Sequence, residues 1–323
     1  MIDNAVLKEV VDKFGGNYST LKLLGGFNDS VYEVKVNNES FIIKFFLPSQ
    51  TNKSLIRGEL NWINYLAENG MNVAKPVFSL QDNLIEEVKE NNTLYYYVIF
   101  EKVGGDFIDE KDWEKDLIVK WGRAMGKMHN LAKSYVVSTV GKIKDWKTTD
   151  ILINPPREVS DSILEKWEEY VEKLKSFPTC KECYGIIHND LHQGNLYFDN
   201  GKVQLFDFGD CEYNWFIYDI SISLYHAIQG ISLNQKEDNL NFATKFMKNF
   251  MQGYRLENNI ADKWIEKIPF FLEYRQIYSY LYILKHLNRY NVDERVKEIL
   301  EEMKYRIENG ISYLQGFDIE QFI

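Results

Sequence analysis

At 323 residues, with 45% apolar and 27% charged side chains, the chain has the composition of a soluble globular protein with core enough for about two domains. Its 38 Lys and Arg against 48 Asp and Glu leave a net charge of −10 without any block of Lys or Arg, which argues against a nucleic-acid footprint and mildly favours cationic small molecules. No basic segment followed by an apolar stretch opens the sequence, and apolar runs such as Phe270-Phe271-Leu272-Glu273-Tyr274-Arg275 are broken by charge, so neither a signal peptide nor a membrane span is expected and the chain reads as cytoplasmic.

Val6, Val10, Val11 and Phe14 recur at helical spacing and stop at Gly15-Gly16, which predicts a first helix with a glycine stop. Leu21–Leu24, Val31–Val36 and Phe41–Leu47 read as a three-stranded meander, with Gly25-Gly26-Phe27-Asn28-Asp29-Ser30 at its first bend. Alternation puts Ile42, Lys44 and Phe46 on one face of the third strand and Phe41, Ile43 and Phe45 on the other. A lysine there either snorkels from a sheet edge or aims a cation into a cleft. The helix predicted over Lys53–Glu68 carries Glu59 on the same stripe as Ile56, Leu60 and Ile63. Glu59 is either a solvated stripe-edge residue or a buried carboxylate that needs a partner, for which Lys44 is the obvious candidate. Leu84–Val88 and Leu94–Glu101 complete an antiparallel sheet, and Gly104-Gly105 reads as a hinge. The expected domains are therefore 1–103, ending in the hinge, and 104–323.

Beyond the hinge the apolar period is 3.6. Helices are predicted over Asp116–Ala132, around Val159–Leu174, near Phe216–Gln229, and over Lys236–Tyr254, Pro269–Leu287 and Asp293–Asn309. Cys180-Lys181-Glu182-Cys183 has the spacing of a redox or zinc pair, but no second pair completes a zinc site, so it reads as an incidental surface or structural feature. With Cys211 the only other cysteine, the usage fits a reducing compartment.

The densest stretch runs from Ile186 to Asp210. Asn200-Gly201 lies between two strand-forming runs, the strongest short-range signal for a two-residue hairpin turn. Counting outward pairs Asp199 with Lys202, Phe198 with Val203 and finally Asn195 with Phe206. That leaves Asn195 one diagonal step from Asp207, roughly 7–8 Å away, where an amide and a carboxylate can share one hard cation. Asp190 hangs in the loop before the first strand.

These parts, in this order, resemble the aminoglycoside phosphotransferase and choline kinase branch of the protein-kinase-like fold. His188, Asp190 and Asn195 match His-x-Asp-x-x-x-x-Asn, Asp207-Phe208-Gly209 stands for the metal-binding Asp-Phe-Gly, and His192 and Gly194 match the wording of the small-molecule kinases. Gln193 departs from the usual Pro. The resemblance covers nearly the whole chain. It implies an α+β fold with a small antiparallel N-terminal lobe bearing one major helix, and a larger, mostly helical C-terminal lobe. It assigns Lys44 to the α/β-phosphates of ATP or GTP, Glu59 to hold Lys44, Asp190 to orient the acceptor hydroxyl and take its proton, and Asn195 and Asp207 to Mg²⁺. Ser30 or the loop amides either touch phosphate or form a plain β-turn, and backbone groups near Glu101 and Val103 are expected against the base. His188 is expected as a structural hydrogen-bonding residue rather than a base, and Asp219 either ties down the catalytic loop from below or is an ordinary acid at a helix N-terminus. No activation segment or Ala-Pro-Glu follows Asp207, which argues for a small-molecule hydroxyl acceptor over a peptide. Asp210, Glu212 and Glu273, with Tyr274 and Tyr278, are candidates to greet an amine on that acceptor, although the helix carrying Tyr274 also fits core packing. Aminoglycosides are the family's emblematic acceptors; choline, homoserine and methylthioribose are acceptors of relatives. An atypical Ser/Thr kinase and a non-catalytic nucleotide-binding pseudokinase are the competing readings, and a monomer or weak dimer is expected.

Overall fold

The computed structural model describes residues 2–26, 30–47, 49, 51–108, 113–230, 236–286 and 293–322. Helix α1 (Asn4–Phe14) starts on Asp3, whose side chain accepts the Ala5 N–H, and ends on Gly15 at φ +72°, a left-handed stop that glycine adopts without a Cβ clash. It buries Val6, Val10, Val11 and Phe14 against Tyr32, Val34, Ile43 and Phe45. Those last four alternate along β2 (Val31–Val36) and β3 (Glu39–Phe46), which follow β1 (Asn17–Gly25). After α2 (Lys53–Glu68) come β4 (Pro76–Val77), β5 (Glu86–Glu90) and β6 (Thr93–Glu101).

The sheet runs β1-β2-β3-β6-β4, with β5 also paired to β6. Strand β3 is paired on both sides: Lys44 lies opposite Val31 of β2 and Val98 of β6. Lys44 therefore has no edge to snorkel from. The glycine loop is described only at its ends, where Gly25 and Gly26 both take positive φ; Phe27, Asn28 and Asp29 lie outside the described residues.

The remaining elements are α3 (Lys115–Ala132), β7 (Lys144–Asp145), α4 (Asp150–Ile153), α5 (Asp161–Lys175), β8 (Tyr184–Ile187), β9 (Leu196–Asp199), β10 (Lys202–Leu205), β11 (Glu212–Trp215), α6 (Phe216–Gly230), α7 (Lys236–Tyr254), α8 (Asp262–Ile265), α9 (Ile268–His286) and α10 (Glu294–Glu308). The predicted helices coincide with these to within two residues at the ends that are described; Leu287 falls outside. Strand β11, too short to show an apolar alternation, pairs antiparallel with β8 and parallel with β7. No helix among the described residues is long and apolar enough to cross a membrane.

Contacts divide the chain into two compact units. The first holds residues 1–106, 135–143 and 196–209, and the second holds 107–134, 144–195 and 210–323. The division thus differs from a single cut after Val103. Two later segments return to the first unit, for reasons of backbone pairing. Lys142 N–H donates to Ser54 O (2.9 Å), and Tyr135 packs edge-on to Trp62. In the hairpin, Leu205 N–H donates to Asn72 O and Leu205 O accepts from Ala74 N–H, both at 2.9 Å, while Phe198 N–H donates to Asp106 O at 3.0 Å.

In the second unit α3 and α7 approach so closely that glycine is required at the crossing. A Cβ on Gly253 would lie 1.8 Å from Val119 O, and one on Gly122 would lie 2.0 Å from Phe250 O. Trp121 meets Phe246 and Phe250 edge-on beside this contact. Gly253→Ala is therefore expected to push the two helices apart and cost about 1–3 kcal/mol or more. Thermal denaturation should show a melting point several degrees lower, and an unchanged value would contradict this packing.

Candidate active site

In the first unit, Lys44 Nζ pairs with Asp207 Oδ1 at 2.6 Å. The ammonium also stands 5.2 Å from the centre of the Phe46 ring. Lys44 is mostly covered, with 18% of its side chain exposed, whereas Asp207 is half-exposed at 49%. Asp207 takes φ +62°, a left-handed conformation that costs a residue with a Cβ about 1–2 kcal/mol. Gly209 is packed so near that a Cβ there would come within 2.7 Å of Lys44 Nζ. Glu59 is buried on α2 at 6% exposure. Ser30 follows the glycine loop, and its carbonyl accepts the Phe45 N–H.

At the hinge, Glu101 N–H is spent on Lys75 O at 2.8 Å. A cavity of about 510 Å³ borders Glu101, Lys102, Val103 and Gly104, with Val73 and Gln204 also on its wall. Lys44, Glu59 and Ser30 are not among its lining residues.

The hairpin has the register counted from its turn. Asp199 lies opposite Lys202 and Phe198 opposite Val203, and Asn200 (φ +45°) and Gly201 (φ +80°) both take the positive φ that a type I′ turn demands. The ladder ends at Leu196–Leu205, one pair short of Asn195–Phe206.

In the second unit Asp190 sits in the loop leaving β8. That loop is held from below by Asp219, fully buried on α6. Asp219 Oδ2 accepts His188 N–H at 3.0 Å, and Oδ1 accepts Asn189 N–H at 2.9 Å. His129 of α3, also fully buried, lies 3.0 Å from Asp219 Oδ2 through Nε2 and 3.0 Å from the Tyr254 hydroxyl through Nδ1. Burial holds the His129 imidazole below its ordinary pKa even though Asp219 pulls the other way, so the ring is neutral, donates from Nε2 and accepts the tyrosine proton at Nδ1. Asn258 Nδ2 donates to the same hydroxyl at 2.8 Å. Asn189, at φ +68°, is held in the left-handed region and donates from its side chain to Asp210 O.

Asp190 itself is 29% exposed. Its Oδ1 accepts from Arg275 Nη2 at 3.1 Å, and its Oδ2 accepts from Asn195 Nδ2 at 3.2 Å and lies 3.4 Å from His192 Nε2. Burial alone would raise its pKa, but the His192 hydrogen bond and the Arg275 charge outweigh that and hold the carboxyl well below the usual carboxylate range. Gly194 N–H donates to His192 Nδ1, which fixes the tautomer with the proton on Nε2, facing Asp190. Arg275 Nη2 also meets His226 Nε2 at 3.0 Å. Burial and the guanidinium charge push His226 down to about 3, so that imidazole is neutral and accepts. Neither Arg275 nor His226 belongs to a motif. Their signal in the sequence is faint: one arginine inside the apolar helix α9, and a histidine inside the apolar helix α6.

Asn195 spends both Nδ2 protons on Asp190, on its backbone O (2.9 Å) and on Oδ2. This orients the amide so that its oxygen is the end left for a cation. Asn195 in the second unit and Asp207 in the first each present a side-chain oxygen of the hard type that Mg²⁺ takes as ligand. Among the described residues no group of three His, Cys, Asp or Glu side chains could hold a metal, so Cys180 and Cys183 have no partners for a zinc site.

The acids expected around the acceptor occupy different environments. Asp210 is exposed and 3.7 Å from Lys144. Glu212 is buried in β11, bonded to Asn214 Nδ2 at 2.8 Å, and burial pushes its pKa up to about 8; it is not an exposed anion. Glu273 accepts the Tyr170 hydroxyl. Tyr274 is 4% exposed and stacked on Trp167 at 5.2 Å, a packing residue closed off from solvent.

The model of the phosphotransferase enzyme family designated APH matches residues 20–254. The chain belongs to that family. It is 33% identical to the amicoumacin kinase of Bacillus subtilis (strain 168), over 99% of this chain and 96% of the relative. The solved structure of the amicoumacin kinase hAmiN in complex with AMP-PNP, Ca²⁺ and Ami superposes with a TM-score of 0.92 at 29% identity, covering 100% of this chain and 98% of that one. Spectinomycin phosphotransferase APH(9)-Ia shares the fold, with a TM-score of 0.59 at 15% identity over 99% of both chains. The fold is therefore protein-kinase-like, and the activity is that of a small-molecule phosphotransferase.

The buried Glu212 gives this family member a pH signature. Its folded pKa lies above that of an exposed glutamate, so between about pH 5 and 8 the folded state holds a proton that the unfolded state has lost. Stability falls as pH rises through that window, by at most about 1.4 kcal/mol per pH unit. Glu212→Gln is expected to flatten this slope in melting temperatures measured from pH 5 to 9. An equally steep decline in the variant would show that Glu212 is not the group responsible.

Proposed function

We propose that this phosphotransferase moves the γ-phosphate of ATP, with Mg²⁺, to a hydroxyl of amicoumacin or an antibiotic of similar chemistry. The observation that carries the reading is the full-length likeness to amicoumacin kinases, one of them solved with a nucleotide analogue, a divalent cation and Ami. Adenine is favoured over guanine because AMP-PNP is the nucleotide in that relative.

Phosphoryl transfer through a loose transition state asks little covalent help of a protein and much positioning. Lys44 is assigned to the nucleotide phosphates, with Glu59 supporting its strand from α2. The backbone at Val103, rather than the spent N–H of Glu101, is the hinge group assigned to the base, and Ser30 is assigned to the phosphate loop. Asn195 and Asp207 would hold the divalent cation, which would supply positive charge against the charge that develops on the transferring group. Asp190, kept ionised by its neighbours, accepts the hydrogen bond of the acceptor hydroxyl and aims that oxygen. Its low basicity fits late proton transfer in such a reaction. Asp210 is the exposed acid assigned to an amine of the acceptor. Because ATP is the donor, the protein works in the cytoplasm.

Asp190→Ala should reduce phosphorylation of amicoumacin by about 10³-fold or more, the scale lost with a key aligned catalytic group, while ATP affinity by calorimetry stays within about threefold. Near-normal turnover in that variant would show that another group receives the hydroxyl.

A further inference from the structure

We infer that Arg275 is a positioning and specificity residue that fixes where the acceptor hydroxyl meets Asp190 and which group may stand beside that hydroxyl. The inference deepens the reading above and rests on Asp190 being the residue that receives the hydroxyl. An ionised carboxylate has about four lone-pair sites. On Asp190, Oδ2 faces both Asn195 Nδ2 (3.2 Å) and His192 Nε2 (3.4 Å), while Oδ1 accepts only from Arg275 Nη2 (3.1 Å). His226 Nε2 is 3.9 Å from Oδ1, but it takes a proton from Arg275 and has none to give. One position remains, and it is on Oδ1. An incoming hydroxyl therefore docks next to the guanidinium.

Arg275 is held there firmly and at a cost. Its side chain is 10% exposed, His226 anchors one end of the fork, and the Tyr278 ring lies 5.6 Å from the guanidinium carbon. Its Nε–H is buried with no hydrogen-bond partner among the described residues. Tyr218 also hydrogen-bonds the guanidinium. The chemical consequence concerns the carbon next to the reacting hydroxyl. A carbonyl, ether or second hydroxyl oxygen there is attracted by the cation, whereas an ammonium there is repelled. An amine on the acceptor must therefore lie further away, on the side of exposed acids such as Asp210.

Lactamide and 1-amino-2-propanol are a matched pair of probes: each has a secondary hydroxyl, flanked by a carbonyl in one and an ammonium in the other. ADP release should be followed with amicoumacin and with each probe, for the wild-type enzyme, Arg275→Gln and Arg275→Lys. The wild type is expected to prefer lactamide by at least about tenfold in kcat/KM, the scale set by a close charge. In Arg275→Gln that preference should fall to within about threefold, and kcat with amicoumacin should drop by about 10²-fold, as for a misplaced reactant. KM for ATP should stay within about twofold in both variants, and Arg275→Lys, which keeps the charge, should retain the carbonyl preference. An unchanged KM for ATP also certifies that a variant is folded; if Arg275→Gln fails to fold, loss of the carbonyl preference in Arg275→Lys overturns the inference and its retention supports it. Arg275→Gln with wild-type kcat and wild-type preference overturns the inference while leaving the amicoumacin reading intact. An Arg275-dependent carbonyl preference with no transfer to amicoumacin supports the inference and sinks that reading. Absence of transfer to all three acceptors by the wild type overturns both.

Discussion

The catalytic loop depends on one buried carboxylate. Asp219 has no contact with solvent, and it holds the backbone N–H groups of two consecutive residues, His188 and Asn189, immediately before Asp190. Burying an acid is costly unless its oxygens are fully bonded, and here His129 supplies the third donor. His129 is in turn oriented by Tyr254, and Tyr254 by Asn258. Helix α6, helix α3 and the end of α7 are thereby tied to two residues of the loop. Asn189 can be kept in a left-handed conformation because its N–H and its side chain are both bonded. Asp190 is then presented from a loop that has no freedom to turn.

The two halves of the chemistry are built by different means. In the first unit a strand interior places Lys44, and a left-handed residue places Asp207 against it at 2.6 Å. Each charge offsets the other in this pair. In the second unit the acid is held by donors alone: Arg275, Asn195 and His192 around Asp190. Such surroundings keep a carboxylate ionised and fixed in direction, which suits a reaction whose demand is alignment. The long α9 helix contributes through Arg275 and at the same time packs Tyr274 on Trp167 of α5.

What the sequence made legible follows physical range. Hairpin register was readable because a two-residue turn fixes every pair outward from it, and α2 was readable because sixteen residues show one apolar face. Lys44 and Glu59 stood out as charges against apolar patterns. The motif around Asp190 was readable as a resemblance, with its roles for the side chains carried by that resemblance. Arg275 was not, because it lies 85 residues from Asp190 in sequence, and nothing local tells a buried arginine from a solvated one. The return of residues 135–143 and of the hairpin to the first unit rests on backbone bonds to Ser54, Asn72, Ala74 and Asp106 and on the Tyr135–Trp62 contact, which leave no mark on periodicity. Glu212 read as an exposed acid because the short strand carrying it has no apolar alternation; its pairing with β8 buries it.

The proposed reaction moves a phosphoryl group from ATP to a hydroxyl of an amicoumacin-type molecule. ³¹P NMR of the purified protein with ATP, Mg²⁺ and amicoumacin reads that transfer at the phosphorus itself. The expected result is a new phosphomonoester resonance that grows in step with ADP and carries a proton coupling from the esterified carbon. ADP accumulating in step with inorganic phosphate alone, with no ester resonance, would contradict it.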